Sequence, residues 1–384
     1  MQNQQTSSIS SLFSQPLSSV KTLPSSIKRW STYALMGAGL LANMGALAST
    51  DKQLVVFGHN PYEQGNFPSI IGVLDNTYSG VEGNRIGTGP SIADVVSQQL
   101  FDGGVIAQTS SAALFSGQGT NYAVATAASR TKADPLSSLI GMPTQVNSYL
   151  AATPSSDVAR NLYIFAPGQN DILDAVGTSQ FPLLSCERFT PWKYWRVYRD
   201  VRHMDGEYSG RFAGTEYERV AKLMYAAIES SKSMLDQLQQ AGAKDILIPN
   251  VASPSLFPIF RDLAAGFGCD TNILKGKSEL LTYHFNASIQ AYVYRIENKD
   301  MLTYDIQADI KTLQDSPEAY GFSDASNNCY LLDISQPQVL LNPAVQCDDS
   351  NENDFLHYTA LTLTTNADDF IGRKMAATLV HMAR

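Results

Sequence analysis

Charge, histidine and cysteine are all scarce in this chain, and each scarcity removes a class of function. Only 16% of the 384 residues are Asp, Glu, Lys or Arg, the formal net charge is −9, and no Lys/Arg cluster is longer than two. Such a chain offers no field for a phosphate backbone, so nucleic acid is excluded as a partner. Five histidines form no ligand-type pair, and four cysteines contain no Cys-x-x-Cys. That composition predicts no metal site and no cofactor. Beyond residue 48 no apolar run is long enough to cross a bilayer, so no transmembrane segment is expected in a mature chain.

What is present is ordinary globular material, 44% hydrophobic, enough for one large core or two small ones. The first 48 residues stand apart. A polar stretch carrying Lys21, Lys28 and Arg29 is followed by an uncharged run from Trp30 that ends in Ala46-Leu47-Ala48. Basic, then apolar, then small is the layout of a secretory signal cleaved after Ala48; an uncleaved anchor is the competing reading. In an exported chain the even set Cys186, Cys269, Cys329 and Cys347 suggests disulfides, whereas in a reducing compartment the same thiols would be buried and free.

From residue 49 to 384 the pattern reads as a single domain. Continuous apolar runs at Leu54–Phe57, Leu162–Ala166 and Ile246–Ile248 each lead into Gly, Pro or Asn, as strands buried on both faces do. Between the second and third, Val220, Leu223, Met224, Ala227, Ile228, Met234, Leu235 and Leu238 recur at helical spacing before Gly242. Strands alternating with helices predict an α/β fold on a parallel sheet, with ligands at the carboxyl ends of the strands. An aromatic-rich stretch at about 177–214 breaks the alternation. It reads either as an insertion whose rings pack on the domain or as a lid or acyl-chain wall.

After the first strand the chain reads Phe57-Gly58-His59-Asn60-Pro61-Tyr62-Glu63-Gln64-Gly65-Asn66. This resembles the opening block of the GDSL/SGNH lipase and acylhydrolase family, Phe-Gly-Asp-Ser-Leu-Ser-Asp-x-Gly-Asn, with Asp-Ser-Leu replaced by His59-Asn60-Pro61. Asn84 to Pro90 is similar to the family's Gly-Arg-Phe-Ser-Asn-Gly-Pro, and Asn121-Tyr122-Ala123-Val124-Ala125-Thr126-Ala127 to Asn-Tyr-Ala-x-Gly-Gly-Ala. Gly168-Gln169-Asn170-Asp171 matches Gly-x-Asn-Asp, and Asp354-Phe355-Leu356-His357 matches Asp-x-x-His. The blocks keep the family's order from Leu54 to about Arg384, in the manner of bacterial members that act on lysophospholipids and other lipid esters.

The resemblance implies a flavodoxin-like three-layer α/β/α fold and hydrolysis of carboxylic esters, with a lipid or other small ester as the partner molecule. It places the base at His357, the orienting carboxylate at Asp354, an oxyanion donor at Asn170 and a backbone donor near Ala125 and Thr126. It also implies that Cys329 pairs with Cys347 around a loop before the histidine, leaving Cys186 with Cys269. The nucleophile position falls on Asn60, whose carboxamide nitrogen is not basic and cannot replace a hydroxyl. Two function classes follow: an esterase using water or another hydroxyl such as Ser69, or a pseudoenzyme that keeps the fold to bind lipid, glycan or a protein partner.

Overall fold

The computed structural model describes residues 52–59, 61–64, 66, 89–113, 119–132, 135–177, 189–204, 207–261, 270–296, 300–331, 344–345, 347, 351–359 and 362–383. The signal-like segment, Asn60, Ser69, most of the block from Asn84 to Pro90, Cys186 and Cys269 lie outside the described residues.

Four short apolar segments form a parallel sheet in the order β1 (Leu54–Phe57), β2 (Leu162–Phe165), β3 (Ile246–Pro249) and β4 (Met301–Tyr304). Leu54 faces Leu162, Ile164 faces Leu247, and Leu247 faces Leu302 across the register. All twelve residues of β1 to β3 are buried, as expected of strands covered on both faces. β1 is not an edge. On its other side Val56 N–H donates to Thr120 O (3.0 Å), Tyr122 N–H to Val56 O (2.8 Å) and Val124 N–H to Gly58 O (3.1 Å). A parallel bridge pairs Val56 with Asn121. The chain therefore leaves β1 toward one flank and returns later to the other, and ligands in open α/β sheets bind at the carboxyl ends of strands beside such a reversal.

The principal helices are α1 (Ile92–Asp102), α2 (Met142–Ala152), α3 (Gln169–Val176), α4 (Pro191–Arg202), α5 (Glu216–Gln240), α6 (Thr271–Arg295), α7 (Ile306–Asp315) and α8 (Thr365–Met382). They pack as two groups: α1 and α7 on α8, and α2, α3, α4 and α6 on α5. The seam between α1 and α8 is tight, because a Cβ on Gly372 would lie 2.7 Å from that of Val95. α1 starts at a reciprocal cap in which Ser91 Oγ accepts from Asp94 N–H while the Asp94 carboxylate accepts from Ser91 N–H. Among the described residues no helix is long and apolar enough to cross a membrane.

Two smaller pairs of strands stand apart from the main sheet. β5 (Asp324–Asn328) runs parallel to β8 (Phe355–His357), and β6 (Tyr330–Leu331) runs antiparallel to β7 (Ala344–Val345). Cys329 and Cys347 form a disulfide between these pieces, with Cα atoms 5.2 Å apart. That separation is usual for a disulfide.

The aromatic stretch contains α4, set down by Pro191 in its first turn. Tyr194, Val197, Tyr198 and Val201 are its buried positions. Those rings pack on the domain, whereas Trp192 and Trp195 remain 56% and 38% exposed.

Candidate active site at the strand ends

A narrow cleft of about 30 Å³ opens where β1, β2 and β3 end. His59 and Tyr62 after β1, Gln169 after β2, Asn250 and Phe257 after β3, and Leu363 contribute to its walls.

The turn that follows β1 is fixed by buried amides. Gln145, fully buried on α2, accepts from Gly58 N–H (2.9 Å) and donates to Gly58 O (3.0 Å) and Ile140 O (3.1 Å). Gly58 leaves little room for a side chain, since a Cβ there would lie 3.0 Å from Ala166 Cβ and 3.1 Å from its carbonyl oxygen. Asn66 donates to Asn121 O (2.8 Å) and Ala123 O (2.9 Å), and Asn121 donates back to Tyr62 O (2.8 Å). These two asparagines, both in family-like blocks, tie the post-β1 turn to the segment on its flank.

The Gly-x-Asn-Asp turn is fixed by its neighbours in the same way. Gly168 has φ of 99°, donates its N–H to Ser129 Oγ (2.7 Å), and would drive a Cβ to 2.4 Å from Phe285 Cε1. Only glycine takes that place without strain. Asp171 is fully buried, accepts from Ser129 N–H (2.7 Å) and lies 3.4 Å from Arg130 Nε. Burial pushes its carboxyl up to about 6 despite the Ser129 hydrogen bond and the Arg130 charge.

Asn170 points its amide inward but spends it locally. Nδ2 donates to Ala125 O (3.1 Å) and Ala127 O (2.8 Å), which uses both hydrogens. The turn at Ala125 and Thr126 is closed by Ala127 N–H on Val124 O (2.9 Å). Asn170 and the 125–127 turn are therefore adjacent, as the resemblance implies, but their contact is carbonyl to amide.

His357 and Asp354 are not joined. Asp354 is exposed at the end of a 3-10 turn, whereas His357 is 1% exposed. The physical reason is the backbone: Phe355–His357 is strand, and residues three apart along an extended chain project to opposite faces. The His357 ring lies 5.5 Å from that of Phe257, which lines the cleft. His357 Nε2 is 3.4 Å from Gln314 Nε2, so with the amide as donor the ring proton rests on Nδ1. That buried Nδ1 makes no hydrogen bond; the nearby Ala325 backbone favours the cation without reaching bonding geometry. Burial lowers the imidazole to about 4, against the opposing charge of Asp324. A histidine so weakly basic is poorly matched to abstract a proton near neutral pH.

Sequence reasoning missed Gln145, which no motif marks, and Asp324, the carboxylate whose field reaches His357. A glutamine inside an otherwise amphipathic helix was the available signal for the first. Among the described residues no group of three or more His, Cys, Asp or Glu is placed to hold a metal ion. Compared with models of known protein families and with curated proteins, the chain matches none.

Proposed function

We propose that the chain is a GDSL/SGNH-type protein that binds a lipid or other carboxylic ester in the strand-end cleft and hydrolyses it weakly or not at all. The observation that carries this reading is convergence: residues from blocks some hundred positions apart, His59 and Tyr62, Gln169, and Asn250 with Phe257, line one cleft. Two groups of helices about a parallel sheet are compatible with the three-layer α/β/α plan of that family. The basic-then-apolar N-terminus and the Cys329–Cys347 disulfide support export, to a compartment that permits disulfides.

The residues at the site lack what efficient hydrolysis needs. Acyl transfer on this plan needs a hydroxyl at position 60, a base to take its proton and donors facing the developing oxyanion. Asn60 supplies no such hydroxyl. Loss of a triad serine costs about a millionfold in turnover, leaving roughly 10³ to 10⁴ over water from binding and the oxyanion site. The base lacks a bonded carboxylate, and the Asn170 amide is committed to the 125–127 turn. Those observations favour a binding protein over a working esterase.

Hydrolysis of a short-chain p-nitrophenyl ester by the native protein, Asn60→Ser and His357→Ala tests this. The native protein should stay near background and Asn60→Ser should gain turnover. Robust native activity, lost in His357→Ala and accompanied by phosphonate labelling of another serine such as Ser69, would overturn it.

A further inference from the structure

The helix at the centre of the aromatic stretch carries a surface that the strand-end cleft does not use. In α4, Tyr194, Val197, Tyr198 and Val201 anchor the helix on the domain. At 100° per residue Trp192, Trp195, Arg199 and Arg202 fall within one arc of about 80° that borders the buried side at Tyr198, with Arg196 beyond its far edge. All five are exposed. Within α4 four bases stand against one acid, in a chain whose net charge is −9. Lys193 is occupied over the Tyr217 ring (5.6 Å), and Arg199 makes only a loose, exposed pair with Asp200 (3.4 Å). Arg196 and Arg202 make no ion pair among the described residues.

The surface continues sideways. A groove of about 660 Å³ runs between α4, α5 and α6 and is lined by Trp195, Tyr198, Arg199, Arg202, Lys232 and Arg295 among others. Glu229, which lines it too, is paired with Lys232 (2.7 Å). Exposed Met204 and the 83% exposed Tyr294 flank the basic ends of α4 and α6.

We propose that the outward face of α4, with this groove, docks on an anionic phospholipid surface. Tryptophan and tyrosine place an apolar ring and a polar edge at headgroup depth, and arginine forks match phosphate oxygens. Trp192 has the Phe212 ring beside it (6.3 Å) and Trp195 packs one side on Tyr194 (5.3 Å) and His284 (4.5 Å), yet both keep a large exposed surface for an interface. A convex surface bearing exposed Trp192 and, past the helix end, Met204 fits an extended interface better than a small enclosed ligand. The acidic remainder of the chain is repelled by such a surface, so contact is oriented with α4 toward the lipid and weakened by salt. This inference is independent of ester binding, since none of these residues lines the strand-end cleft.

The chain reports on itself. It has three tryptophans, so Trp30→Phe leaves Trp192 and Trp195 as the source of its tryptophan emission. Full-length protein with that substitution is mixed with vesicles of phosphatidylcholine alone, or of phosphatidylcholine with phosphatidylglycerol, and followed by emission and co-sedimentation. The expected result is a blue shift and sedimentation that require phosphatidylglycerol and fade with salt. Arg196→Gln, Arg199→Gln and Arg202→Gln together should lower partitioning on the order of 100-fold, at about fivefold per cation. The corresponding triple lysine variant should retain most of the binding, with circular dichroism confirming the fold of each. Phosphatidylglycerol-dependent binding that survives the triple glutamine variant would overturn the proposal. So would equal binding to both vesicles, or full displacement and an equal blue shift by soluble glycerol phosphate, which would assign a small-anion site.

Discussion

Replacing Gln145 by leucine removes the clamp on the residue that leads out of β1 while keeping nearly the same volume. Gly58 N–H then loses its one acceptor among the described residues, whereas Gly58 O keeps Val124 N–H and Ile140 O loses a donor. An orphaned buried N–H costs roughly 1–3 kcal/mol, and each weakened carbonyl about 0.5–1 kcal/mol more. Better burial of leucine returns part of this, so the net loss should be about 2–4 kcal/mol. Urea unfolding of both proteins measures it as a lower midpoint at unchanged slope. Hydrogen exchange supplies the local readout: the Gly58 amide should exchange faster in the variant by more than distant amides do. A midpoint shift worth less than about 0.5 kcal/mol, the usual range of surface substitutions, would refute the view that this clamp holds the turn.

Gly168→Ala should destabilise by roughly 2–4 kcal/mol, combining a left-handed φ of 99° with the 2.4 Å approach to Phe285; Phe285→Leu in the same chain should recover only the part due to the clash, read by the same urea midpoints. Burial also holds His284 at about 4, so it is neutral when folded but takes a proton near 6.5 when unfolded. The unfolded chain therefore binds more protons between about pH 6.5 and 4, and this contribution to stability is lost as pH falls through that window. Asp171 and Asp368, both raised by burial, act in the opposite direction, so the histidine is read as a difference. Between pH 7 and 4 wild type should lose about 3 kcal/mol more than His284→Phe, and parallel pH profiles would refute this.

The sheet was largely legible because β1, β2 and β3 are buried on both faces and so read as unbroken apolar runs. β4 was not, since as an edge strand it mixes buried Met301 with exposed Leu302 and a threonine. α6 escaped for a related reason: its buried positions include Lys277, Ser278, Thr282 and His284, so no apolar stripe marks it. Lys277 tolerates burial through Glu216, the Val176 carbonyl and the face of the Phe189 ring (5.2 Å), all distant in sequence. At the candidate site, sequence located the blocks but not their contacts. Asn66, Asn121 and Asn170 spend their amides on backbone carbonyls, which spacing cannot reveal. The Asp354 to His357 spacing suits a turn, and the strand that occupies it separates the two side chains.

The position of β1 between two neighbours sets a schedule for the nascent chain. Leu54–Phe57 emerges first, yet one neighbour begins at Thr120 and the other at Leu162. At about 5–20 residues per second, roughly 5 to 20 s separate the synthesis of β1 from that of β2. Until Thr120–Val124 emerges, Leu-Val-Val-Phe is an unpaired apolar strand with no proline and no charge, the kind of segment that seeks a partner in another chain, and one of its edges stays open until β2 follows. Both connections must close before both edges are satisfied, which favours slow assembly over fast local collapse. The arrangement that creates a crevice at the strand ends thus makes the first strand synthesised the longest-waiting part of the sheet, and the part most in need of a chaperone's cover.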